Sequence, residues 1–274
     1  MLGFVLSKMQ MLLFATGIFV VAVMFYGFIS GIELKTAAST GLSLEARIIE
    51  EQLGGDTLCS FKSVSIPDRI TYGVGTNQFF YDLTFTFAKE GTSNVLLMSI
   101  AEHGRESILA SKKIPMNYGI VLVDPGFIAE DKPVDGYVYS SGDIGSITGL
   151  PTTNESCDSE SCIRLYPRAA TKGAQASAPN AFVALKEVAG GKTTMYIIPC
   201  STLITGSTGT ETGGNCIDNI RKVGCWKMKS SDESPSANET IPSCFNITVE
   251  SENEESTSNN FTWEKCQEYF YGGG

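Results

Sequence analysis

Apolar residues follow two patterns along the first 55 positions. From Met9 to Ile32 they form a run of 24 residues with no charge, bounded by Lys8 and Glu33. That exceeds the roughly 20 residues needed to cross a bilayer core, and a backbone in hydrocarbon satisfies its own hydrogen bonds as a helix. The apolar core of a secretory signal is only about 7–15 residues long and ends in a small-residue cleavage site. Here the nearest small cluster, Ala37-Ala38-Ser39, lies beyond Glu33 and Lys35. The run therefore reads as a retained anchor rather than a discarded signal, and a buried core helix of a soluble domain does not suit its length and position.

After Lys35 the pattern turns amphipathic. In "TGLSLEARIIEEQLGG", Leu42, Leu44, Ala46, Ile48, Ile49 and Leu53 lie on or near one side with charges between them, and Gly54-Gly55 supplies a stop. Two arrangements fit: one helix of about 40 residues, roughly 60 Å at 1.5 Å per residue, or two helices broken near Thr40-Gly41.

Beyond Gly55 the period changes to two. "FKSVSIP" alternates, and "QFFYDLTFTFAKE" does so more clearly. It puts Phe79, Tyr81, Leu83, Phe85 and Phe87 on one side and Asp82, Thr84 and Thr86 on the other. "NVLLMSIAE" and "ESILASKKIP" follow, joined through His103-Gly104-Arg105. A second series covers "YGIVLVDPG", "GYVYSSG", "CIRLYPR", "AFVALKEV", "TTMYIIPC" and "KVGCWKM", separated by the loops "TKGAQASAPN" and "STLITGSTGTETGGN". This spacing predicts a sandwich or a meander packed on a helix. The expected class is α+β. Its parts are a short cytoplasmic leader (1–8), a transmembrane helix with its amphipathic extension (9–54), a first β-rich domain (55–117), a second β-rich region (118–229) and a loose, cystine-bearing C-terminal segment (230–274).

Charge narrows the partners. Twenty Lys and Arg against thirty Asp and Glu leave a formal charge of −10, the wrong sign for nucleic acid. The basic residues flanking the apolar run, Lys8 before it and Lys35 and Arg47 after it, give almost no orienting bias.

Orientation comes instead from the eight cysteines, Cys59, Cys157, Cys162, Cys200, Cys216, Cys225, Cys244 and Cys266, all outside the apolar run. An even count beside an export element points to disulfides in an oxidising compartment. Zinc would want matched pairs of close ligands. Here only Cys157 and Cys162 are close, and the sole histidine is His103. Cys157–Cys162 is the expected local pair. Four glycosylation sequons, at Asn154, Asn238, Asn246 and Asn260, share the cysteine-bearing half. The expected topology is a single pass through the cell membrane, with the N-terminus cytoplasmic and the C-terminal region extracellular.

Motifs that carry chemistry do not survive their context. "AGGKTT" (189–194) resembles the end of a phosphate-binding loop, but Lys186 stands where that loop needs its first glycine. Its flanks read as two strands turning at Gly190-Gly191. Ser107, Ser111 and Lys112 do not make a nucleophile and base, because neighbours on a strand point to opposite faces. His103 sits in a turn beside Glu102 and Glu106, an ordinary surface setting. Within the apolar run, Gly27 and Gly31 have the spacing that lets membrane helices approach closely.

A short leader, a long apolar helix, an amphipathic continuation and an exterior β region together resemble archaeal type IV pilin-like proteins, the group with class III signal peptides. The leader-processing motif of that family corresponds here to Lys8-Met9-Gln10. Met9 stands where the family has glycine, and Phe14 where many members carry glutamate. The resemblance implies processing near Met9 and bundling of the helices into a filament. The expected function is thus structural or adhesive: a membrane-anchored cell-surface protein of the filament-subunit kind, self-associating through its helix and offering its β region to a surface ligand. No catalytic residue, metal or cofactor is expected. The alternatives are a membrane-anchored extracellular hydrolase and an accessory or sensor subunit of an envelope complex.

Overall fold

The computed structural model describes residues 2–73, 77–105, 107–115, 118–124, 138–141, 162–167, 180–200, 203–205, 210–212, 216–230, 235–247 and 261–271. One unbroken helix, α1 (Leu2–Gly54), takes up the leader, the apolar run and the amphipathic stretch. Gly41 lies inside it, so of the two arrangements the continuous one forms.

Two large sheets follow. The four-stranded sheet has the order β6-β5-β4-β9, built from β4 (Tyr81–Glu90), β5 (Ser93–Glu102), β6 (Ile108–Pro115) and β9 (Cys162–Leu165). The five-stranded sheet has the order β1-β10-β11-β7-β8. Its members are β1 (Cys59–Ser65), β7 (Gly119–Val123), β8 (Val138–Ser140), β10 (Ala181–Ala189) and β11 (Lys192–Cys200). Both sheets draw strands from 55–117 and from 118–229: β1 pairs with β10, and β4 with β9. The boundary at 117/118 is thus crossed in each sheet. Two short hairpins stand apart, β2 (Ile70–Tyr72) with β3 (Asn77–Phe79), and β12 (Leu203–Thr205) with β13 (Thr210–Thr212). The second lies in a stretch read from sequence as loop.

The sheets face one another, and the edge-to-face contact of Phe85 with Phe182, 5.1 Å between centroids, joins them. Between them lies a single core of Leu83, Phe87, Leu96, Met98 and Ile163 from one sheet and Ile120, Leu122, Ala184, Met195 and Ile197 from the other. The C-terminal half of α1 enters the same core through Ala38, Leu42, Ala46, Ile49 and Leu53, spaced by four, four, three and four as one face of a helix requires. Leu44, placed near this stripe from sequence, is instead 60% exposed. The turn between β10 and β11 forms at Gly190 and Gly191, with φ of 57° and 74°. The twist of a two-residue hairpin favours this left-handed backbone, and it disposes of the phosphate-loop reading.

The outer face of the five-stranded sheet is covered by α2 (Cys216–Lys229) and α3 (Trp263–Tyr271). Val183, Leu185, Tyr196 and Ile198 meet Ile220, Val223, Met228, Phe245 and Trp263 there. Two expectations fail at this layer. "KVGCWKM" is the end of a helix, not a strand, because Cys216, Ile220 and Val223 recur at helical spacing and, with Met228, are buried against the sheet. The described part of 230–274 is not loose. Its turn at 241–245 and helix α3 contribute buried Ile241, Cys244, Phe245, Trp263 and Cys266.

Candidate functional site: the stem and its junction with the body

α1 has two environments. Its most apolar stretch has no buried residue, and Phe14, Phe19, Met24, Phe25 and Phe28 are each 65–73% exposed. Large apolar side chains thus face outward all round this half of the helix, without the polar face of an ordinary surface helix. The helix is long and apolar enough to cross a membrane. Lys8, Met9 and Gln10 lie on it without a break.

The change of environment falls where the charge-free run ends. Ser30 and Leu34 are half-buried, Ala38 fully buried, and the stripe continues through Leu42 to Leu53. Burial of Leu42, Ile49 and Leu53 stabilises the docked stem by roughly 1.5–3 kcal/mol each. Gly27 and Gly31 prolong the same stripe into the apolar half, since 27, 31, 34, 38 and 42 are three or four residues apart. A Cβ at either glycine would have nothing within 4 Å, so this flat patch lies open directly beneath the body.

The junction is flanked by the β2–β3 hairpin. Ile70 and Tyr72 pack on the core to which α1 belongs. At the turn, Gly73 adopts φ 72°, and a Cβ there would stand 3.3 Å from Glu33 Oε2. Glu45, one side further along α1, buries an oxygen that has no hydrogen-bond partner among the described residues. Burial holds its carboxyl protonated up to about pH 7. Tyr81, whose hydroxyl donates to the Pro67 carbonyl at 2.8 Å, is pushed upward by burial first and by Glu45 and Asp68 next.

Three disulfides hold the rest of the body: Cys59–Cys244, Cys200–Cys216 and Cys225–Cys266. They fasten β1 to the turn at 244, the end of β11 to the start of α2, and α2 to α3. Cys162 is also disulfide-bonded, and no cysteine among the described residues is free. Cys157, and with it the expected local pair, lies outside the described residues, as do Asn154 and Asn260. Of the other sequons, Asn238 is exposed, whereas Asn246 is half-buried and its side-chain oxygen accepts from the Phe261 N–H at 3.4 Å.

His103 has a partner that sequence proximity does not reveal. Its Nδ1 lies 2.7 Å from Asp82 Oδ1, and its ring stacks on Tyr166 with 3.6 Å between centroids. The β4–β5 register, Asp82 opposite Ala101, creates this pair. The sequence signal was the alternation that put Asp82, Thr84 and Thr86 on one side. That side is buried too, and Thr84 and Ser99 bond each other at 2.5 Å. Nor do the described residues include a group of three or more His, Cys, Asp or Glu side chains placed for a metal. No family model, curated protein or solved structure matches the chain.

Proposed function

We propose that this chain is a membrane-anchored cell-surface structural protein, a filament subunit of the pilin-like kind, with the N-terminus cytoplasmic and the body outside. The observation that carries the reading is the single helix α1, bare and apolar over its first half and built into the core of a disulfide-bonded body over its second. A stem so made fixes the body rigidly to whatever holds the apolar half, because no hinge separates the two. The open stripe at Gly27 and Gly31 supports helix packing as the means of assembly, and the cystines support an oxidising exterior.

The test is imaging of the native membrane fraction, together with protease digestion of intact cells. Filaments containing the chain and a body cleavable from outside are expected. A body protected in intact cells would overturn the topology. Dispersed monomers in every preparation would reduce α1 to an anchor.

A further inference from the structure

Most of the body's strands belong to the two large sheets, but β2 and β3 pair only with each other and lie along α1. A lone two-stranded hairpin is marginal in water. This one is held by Ile70 and Tyr72 against the helix, and its turn reaches back to Glu33. Glu33 is the first charge after the apolar run. The polar layer of a bilayer adds about 5–8 Å on each side of the hydrocarbon, or about three to five helical residues at 1.5 Å each. Glu33 and the turn beside it therefore lie at the depth of the lipid headgroups.

The hairpin's composition suits that depth. Ile70 to Gly73 and Asn77 to Tyr81 carry no charged residue. Arg69 is held at the hairpin's base, its guanidinium donating to Asp68 at 3.0 Å and to Gln78 at 2.8 Å. Thr71 is exposed, and Tyr72 is amphipathic and half-buried. Tyrosine is enriched at the membrane–water boundary because its ring prefers the apolar side and its hydroxyl the wet one.

We infer that the membrane-proximal end of β2, Thr71 and Tyr72 with Gly73 directly after it, is a lipid-contacting foot, seated in the headgroup layer and setting the tilt of the body on the membrane. The inference rests on the reading of α1 as a membrane anchor. With the helix as one support and the hairpin as a second, the body cannot swing toward the membrane on the hairpin side. A charge-free foot does this without expelling a charged group from water.

Depth-dependent quenching tests it. The full chain is reconstituted at low protein density in phosphatidylcholine vesicles, with and without lipids brominated high on their acyl chains. The two native tryptophans, Trp226 and Trp263, belong to the helical layer on the far face of the five-stranded sheet and give the background. Emission added by Tyr72→Trp should fall by roughly half on brominated lipid, as for an interfacial aromatic. Thr71→Trp, at an exposed position, is the second probe should the first perturb folding. Phe19→Trp, in the middle of the apolar run, reports the helix itself against a second set of vesicles whose lipids are brominated deep in their acyl chains. Quenching at 19 without quenching at 71 or 72 would overturn the foot and leave the anchor intact. No quenching at 19 would overturn both.

Discussion

The Lys186 ammonium donates a hydrogen bond to the Gly55 carbonyl, 131 residues away in sequence. Helix α1 has no basic residue in its last turn, so the charge that complements its C-terminal dipole comes from the inner face of β10. Lys186 is almost fully buried. Replacing it by Met keeps the side chain's volume but removes this charge-assisted hydrogen bond and leaves the exposed carbonyl to water. Lys186→Met should lower the body's unfolding free energy by roughly 1–3 kcal/mol, measured by denaturant titration in detergent with the disulfides intact. An unchanged midpoint would contradict this role.

Glu45 lies well beyond the charge-free run and against the body. Its carboxyl titrates near 7 in the folded state instead of near 4.5, so the folded protein binds the proton more tightly. The resulting stabilisation is complete below pH 4.5 and is lost as pH rises through about 7. Unfolding free energy should fall over that window, by at most roughly 3 kcal/mol. Glu45→Gln should flatten the slope. A parent stability that rises between these pH values would contradict the sign.

Gly224 is fixed by proximity rather than by backbone angle. A Cβ there would come within 2.5 Å of Phe245 Cβ, because Cys59–Cys244 holds the neighbouring turn in place. Gly224→Ala raises helix propensity, yet should destabilise by roughly 1–3 kcal/mol through overpacking. Calorimetry of the oxidised protein decides the sign, and a raised Tm would show that the turn yields.

Gly27 and Gly31 carry the assembly prediction. Neither has a neighbour that a side chain would strike, so replacing both with Leu leaves the body's fold alone while adding bulk to the contact stripe. Crosslinking in membranes should then shift from oligomer to monomer. A double variant that crosslinks as well as the parent would show that α1 only anchors.

The parts legible in the sequence were those whose signal is local. The apolar run, the strands with strict alternation such as 81–87, and the Gly190-Gly191 turn all declare themselves within a dozen residues. Helix α2 was misread because its apolar positions are interrupted by Asn219, Lys222 and Gly224, all buried by tertiary packing. The stem junction was half legible. The stripe from Ala38 to Leu53 is periodic, but only the folded hairpin brings Gly73 to Glu33. The Asp82–His103 pair depended on strand register, and the three disulfide partnerships on the layering of helices over a sheet. None of these is encoded in spacing along the chain.

The Cys59–Cys244 bond joins the first strand after the stem to a turn 185 residues later, and that connection has a mechanical meaning. Tension between a membrane and the C-terminal end would leave α1 at Gly54, cross at Cys59 and continue from Cys244, so the intervening chain lies off the load path. Stretching the reduced protein should release on the order of 600 Å more contour than the oxidised one, at about 3.3 Å per residue. Equal lengths would show that this bond bears no load. Both large sheets, and every strand in them, sit inside a covalent bypass that lets the body be pulled without being unravelled.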